Sequence, residues 1–145
     1  MDKKIYEKKP SECNCLNIRR ASQALTDVYD EIMAPSGLKL GQFSLLKHIN
    51  RLGPVSVSDL ALSIRLDRTT LVRNLKSLEE KGLVTDTAPE RSRNRQLQLT
   101  ELGYGTYRAA EQLWLEAQNF VEQYLGREDT DLLTKLLSKI EALVP

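Results

Sequence analysis

Residues Ser58–Gln96 read SDLALSIRLDRTTLVRNLKSLEEKGLVTDTAPERSRNRQ, and their order decides the fold. Ser58 offers an N-cap oxygen to a short helix carrying Leu60, Ala61 and Ile64, with Asp59 favourable at its positive end. A turn near Leu66 follows. Asp67 is the natural cap of the next helix, because its carboxylate can accept from the free N–H of Thr69 or Thr70. Leu71, Leu75 and Leu78 share one side of that helix, and Gly82 supplies a left-handed stop after Lys81. Leu83–Thr87 and Gln96–Leu99 then alternate apolar and polar residues, as two strands of a hairpin whose loop is Ala88–Arg95. Two helices across a tight turn followed by a hairpin predict a winged helix-turn-helix.

Outward from this unit the chain is helical. Residues 1–11 are lysine-rich and broken by Pro10, a polar lead-in. Ile18, Ala21, Leu25, Val28 and Ile32 recur at spacings of three and four, which predicts an amphipathic helix from about Cys15 to Ala34, ended by Pro35, Ser36 and Gly37. A second helix is expected from Leu40 or Gly41 to Leu52, with Phe43, Leu45, Leu46 and Ile49 turned inward and Gly53 and Pro54 as the stop. Val55, Ser56 and Val57 suit a short strand paired with the wing. On the far side, Thr100 can cap a long helix from about Glu101 to Leu125, and Gly126 breaks it. A last helix, about Glu128 to Leu143, carries Leu132, Leu133, Leu136, Leu137 and Ile140. That is more apolar surface than a short helix hides within a chain of 145 residues, and a partner subunit is the simplest cover. The expected fold is therefore mainly α with a small β-hairpin wing. One domain spans 1–145, with a DNA-binding lobe over 38–100 and a helical dimerisation region over 12–35 and 101–145.

Charge distribution says more than total charge. The formal net charge is only +1 although 28% of residues are charged. Between Arg65 and Arg95, however, eight basic residues face five acidic ones, a net of +3, whereas Glu101–Pro145 has four basic against eight acidic, a net of −4. The positive field is thus concentrated where a helix-turn-helix would meet phosphate. No apolar run approaches the ~18 to 20 residues of a membrane span, and MDKKIYEKKP lacks the apolar core of a signal peptide, so no membrane association and a cytoplasmic location are expected.

Opposite its leucines, the Asp67 helix turns Thr69, Arg73 and Lys76 outward, with Arg68 and Thr70 at its first turn. Recognition helices read base edges with these positions, and arginine can bridge guanine O6 and N7. Arg68, Thr69, Thr70 and Arg73 are the base-edge candidates, and Lys76 suits phosphate. Any solvated helix shows similar residues opposite its core, so the wing matters. Arg91, Arg93 and Arg95 alternate, and an extended loop would project all three to one side, where they could enter a minor groove.

Other candidates for chemistry are sparse. Cys13 and Cys15 form a candidate redox pair, with inert or packing thiols as the alternative. If both are helical their side chains diverge by about 200°, too far for one metal or a relaxed disulfide. Two cysteines and the distant His48 fall short of a tetrahedral metal set, and no metal or other cofactor is expected. Tyr29, Phe43, His48 and Trp114 are candidates to line an effector pocket, each with core packing as its alternative. Nothing reads as a nucleophile elbow, phosphate loop or paired carboxylates, so an enzyme is not expected.

The segments GPVSVSDLALSIRLDRTTLVRNLKSLEEKGLV and ERSRNRQLQLTELG, in this order of elements, resemble the MarR (multiple antibiotic resistance regulator) family. The likeness runs from CNCLNIRRASQALTDVYD to the terminal leucine-rich helix and is most specific over Gly53–Gly103. It implies a homodimer clamped by N- and C-terminal helices, binding a near-palindromic double-stranded operator, more often as a repressor. It also implies an arginine at the wing tip in the minor groove, a role that maps best onto Arg93, and release by a small aromatic ligand or an oxidant. Two departures stand out. Glu90 replaces the usual aspartate that leads the wing motif, and Lys39 stands where relatives often have a threonine cap, which predicts a looser start to the second helix. A winged helix that binds protein instead of DNA is the alternative reading.

Overall fold

A computed structural model describes residues 7–88 and 94–145. Helix α1 (Asn14–Met33) leads through a 3-10 turn at Ala34–Ser36 into α2 (Leu40–Leu52), α3 (Val57–Ile64) and α4 (Arg68–Glu80). Strands β1 (Val84–Asp86) and β2 (Leu97–Leu99) form the hairpin, and α5 (Glu101–Leu125) and α6 (Arg127–Glu141) close the chain. The fold is a winged helix-turn-helix carried on helices from both ends of the chain.

Most boundaries follow local chemistry. Thr100 caps α5 by accepting from the Gly103 N–H, and Gly82 takes a left-handed φ of +74°, which lets the Leu83 N–H return to the Leu78 carbonyl and close α4. Two starts differ from expectation. The cap of α3 is Ser56, whose hydroxyl accepts from the Asp59 N–H at 3.1 Å, so Ser58 already lies within the helix. The expected strand Val55–Val57 shrinks accordingly to one residue, Val55, bridged antiparallel to Leu97. At α2, Lys39 offers no cap oxygen, yet the start is well tied. The Leu40 N–H donates to Asp30 Oδ1 of α1 at 2.8 Å, and Gln42 Oε1 accepts from the Lys39 N–H at 3.0 Å. Acceptors from a neighbouring helix and from the third helical position replace the missing threonine.

The hairpin pairs Val84 with Leu99 and Asp86 with Leu97. Val84 and Leu97 join Leu46, Ile49, Leu60, Leu71, Leu75 and Leu78 in one continuous core, so the wing's root and the helix-turn-helix are a single packed body. Its junction to α5 is close. The Thr100 N–H donates to the Leu83 carbonyl, and a Cβ added to Gly103 would lie 1.9 Å from that oxygen. Only glycine lets α5 start there, because a backbone atom cannot rotate aside. At the turn between α3 and α4, Arg65 takes a left-handed φ of +55°, and its guanidinium meets Glu141 at the end of α6 at 2.9 Å.

Helices α1 and α5 pack along each other, and α6 folds back on α5. No residue of α6 is buried within the chain, and Leu132, Leu133, Leu136, Leu137 and Ile140 remain 36% to 50% exposed. Among the described residues no helix is long and apolar enough to cross a membrane.

Candidate nucleic-acid interface

Asp67 organises the exposed end of α4. Its Oδ1 accepts from the Thr69 N–H and its Oδ2 from the Thr70 N–H, both at 3.1 Å, and the Thr70 hydroxyl donates to Oδ2 at 2.5 Å. The Thr70 hydroxyl, then the N–H groups of Thr70 and Thr69, hold the Asp67 carboxyl below its ordinary 3.8, with the Arg73 charge adding least. Because the folded value is depressed, the stabilisation is present above about pH 4 and is lost as the pH falls through the folded value. Asparagine can also cap, but it has one acceptor oxygen in place of two and cannot titrate. Asp67→Asn is therefore expected to lower stability near neutral pH and to flatten its fall between about pH 5 and pH 3. Urea midpoints across that range check this, and parallel curves for the two proteins would refute it.

The structure puts Arg68, Thr69, Thr70, Arg73 and Lys76 together on the solvent side of α4, while Leu71, Leu75 and Leu78 are buried beneath. The Thr70 hydroxyl spends its proton on Asp67, so it can accept from a base amino group but cannot donate to phosphate. Val72, not singled out by the pattern of charges, is 47% exposed on the flank beside Arg68 and Lys76. Its spacing of four from both residues is the signal that places it there.

Arg91 and Arg93 lie outside the described residues. Arg95 is described, and it does not share the projecting role first assigned to it. It stands at the root of the wing, with Nη2 2.6 Å from Glu79 Oε1 of α4 and Nε 3.3 Å from Asp86 Oδ2. Asp86 is itself fixed, since its Oδ1 accepts from the N–H groups of Ala88 and Gln96, both at 2.9 Å. The Gln96 and Ala88 N–H groups, with Arg95 contributing less, hold the Asp86 carboxyl below the ordinary range, and the bond to Glu79 leads in raising Arg95 above its own. Period-two alternation locates a side chain along a strand but is blind to an acceptor on another element.

The candidate effector residues separate. Tyr29 and Trp114 line a groove of about 550 Å³ with Ile18, Leu25, Leu40, Gln118, Leu133 and Leu137, between α1, α2, α5 and α6. The Tyr29 hydroxyl bonds Gln118 Oε1, and burial, more than the Glu122 charge, pushes the phenol's pKa up. Phe43 is instead a core residue, 1% exposed and stacked on Tyr107 and Trp114 with centroids 5.7 Å away. His48 points Nδ1 at the Ser44 carbonyl at 2.7 Å, on its own helix and away from the groove lining.

Cys13 and Cys15 are exposed free thiols. Cys13 is the extended N-cap of α1, its Sγ accepting from the Leu16 N–H at 3.4 Å, so only Cys15 is helical and the 200° divergence between helical thiols does not describe the pair. Among the described residues no group of three or more His, Cys, Asp or Glu is placed to hold a metal ion.

The model of the MarR family matches residues 36–93, from the end of the 3-10 turn before α2 through α4 into the wing. A Thauera aromatica protein, proposed as the transcriptional regulatory protein for the hcr operon, is 30% identical over 106 residues. The match takes in 72% of this chain and 57% of that relative, so the chain spans little more than half of the relative's length. Among solved structures, the M. tuberculosis transcriptional regulator MosR in complex with DNA aligns with a TM-score of 0.76 at 34% identity, covering 92% of this chain and 100% of that one. The transcriptional repressor CouR, bound to p-coumaroyl-CoA, aligns with a TM-score of 0.79 at 25% identity, covering 90% and 92%.

Proposed function

Since the chain belongs to the MarR family of transcriptional regulators, we propose that it acts in the cytoplasm as a homodimeric repressor of a near-palindromic operator, through binding rather than catalysis. The observation that carries this is the exposed outer face of α4. Arg68, Thr69, Arg73 and Lys76 stand there over a rigid leucine-packed base, at a helix start ordered by Asp67. In this reading α4 lies in the major groove, Arg68, Thr69, Thr70 and Arg73 meet base edges, Lys76 meets phosphate, and the arginines of the wing loop, Arg91 and Arg93, reach the minor groove. That MosR, a similar chain, forms a complex with DNA supports DNA as the partner.

One such unit reads half a site. The uncovered leucine face of α6, with the exposed Leu16 and Ile18 of α1 and Phe120 of α5, supports a second copy as its cover. Residues 12–35 and 101–145 are then the dimerisation region, and 38–100 the DNA-binding lobe. The groove beside Tyr29 and Trp114 adjoins both regions and suits a small aromatic effector, a reading supported by the ligand-bound state of CouR. The exposed Cys13 and Cys15 offer an oxidant a second point of attack.

Titration with duplex DNA at several salt concentrations tests the proposal. Log affinity is expected to fall linearly with log salt, by about 0.9 for each phosphate neutralised, and more steeply on random-sequence DNA relative to total affinity than on a selected operator. Absence of measurable binding at low salt would overturn it.

A further inference from the structure

Among the described residues, the Glu79–Arg95–Asp86 cluster is the group of paired charges that joins the two elements assigned to the two grooves. Resting on the DNA-binding reading above, we propose that Arg95 is a positioning residue: its guanidinium ties the wing to the recognition helix and so sets the distance between major-groove and minor-groove contacts within a half-site.

The geometry divides into a frame and a tether. Asp86 ends β1, and its carboxylate takes N–H groups from both sides of the wing loop, Ala88 after β1 and Gln96 before β2. Its second oxygen meets Arg95 Nε at 3.3 Å, so Arg95 rides on the frame of the wing itself. The other edge of the same planar fork reaches Glu79, in the last turn of α4, at 2.6 Å. A fork can hold two carboxylates at a set angle, whereas an ammonium on a flexible stem cannot. The side chains are 33% to 40% exposed, so the pairs contribute little to global stability. Their consequence is geometric. Without the tether the hairpin pivots about its packed root at Val84 and Leu97, and its placement relative to α4 is no longer set.

A direct phosphate role for Arg95 and the positioning role predict opposite signs at Glu79. Removing a carboxylate beside DNA strengthens binding if electrostatics alone acts. If Glu79 instead holds Arg95, its loss weakens specific binding. The decisive experiment uses the full-length protein, the duplex that the wild type selects from a random pool, and an unrelated duplex of equal length. Glu79→Gln is expected to weaken binding to the selected duplex on the order of tenfold, with affinity for the unrelated duplex unchanged or slightly higher. Arg95→Gln is expected to weaken binding to the selected duplex by a similar factor, with only a slight loss on the unrelated duplex from the missing positive charge. Arg95→Lys is expected to restore only part of the loss, and the double variant to be no worse than Arg95→Gln alone. Unchanged thermal transitions for Glu79→Gln separate this from unfolding. Tighter binding of Glu79→Gln to the selected duplex, no change in it, or effects of the two single variants that multiply would each overturn the proposal. Failure of the wild type to select any duplex would instead overturn the regulator reading itself.

Discussion

Arg73→Ala is expected to weaken the dimer's affinity for its selected operator by about 1–3 kcal/mol in each half-site, or about 2–6 kcal/mol for a symmetric dimer. Leu71 and Leu75 each lie about 160° from Arg73 around α4, so the guanidinium points away from the core more directly than any other basic group on the helix. It is exposed, and the Asp67 carboxylate feels its charge only as the last of several influences. That leaves the fork available for a bidentate bond to guanine, the commonest specific base contact. Anisotropy titrations on operators altered one base pair at a time check the assignment. A base-reading arginine loses discrimination at one position per half-site and keeps the salt slope. Equal weakening on every sequence, with the slope reduced by about 1 per subunit, would make Arg73 a backbone contact instead.

Phe43→Ala is expected to cost about 3–5 kcal/mol of folding stability, a large share of the roughly 5–15 kcal/mol typical of such a domain. The ring is 1% exposed and is stacked against both Tyr107 and Trp114 of α5, so it joins the helix-turn-helix lobe to the long helix. Truncation removes buried area and leaves a cavity that the stacked rings cannot fill without losing their own contacts. Trp114 is the sole tryptophan and carries the Lys47 ammonium 3.9 Å from its ring centroid, so its fluorescence reports the site directly. Denaturant unfolding followed at Trp114 gives the measurement. A loss under about 1 kcal/mol would mean that Phe43 lines an adaptable pocket after all.

The two variants probe different things because their residues were legible to different degrees. For α4 the local signals agreed: leucines at helical spacing, a carboxylate with two N–H groups in reach, and a glycine where the helix must end. The structure accordingly places Arg68 to Lys76 as the spacing implied. For Phe43 the spacing showed an inward face but not what lay opposite, and the two aromatic neighbours come from a helix more than fifty residues further along. Ser56 against Ser58 is a subtler case. Both can cap, and the bridge between Val55 and Leu97 decides which of them is extended.

By itself, then, the chain's sequence determined what depends on neighbours in sequence. It set the order of helices and wing, the Thr100 cap and Gly126 break that bound α5, the buried side of α4 and the apolar face of α6. Helix period, capping and left-handed stops act over three or four residues, and those can be read off directly. Tertiary structure alone decided that Asp30 supplies the cap Lys39 lacks, that Phe43 fills the core while Tyr29 and Trp114 keep the groove, and that Arg95 is bound to Glu79. Each of these is a pairing across ten or more residues. A side chain with several donors takes whichever acceptor the fold brings near, and alternation along the strand carries no trace of that choice.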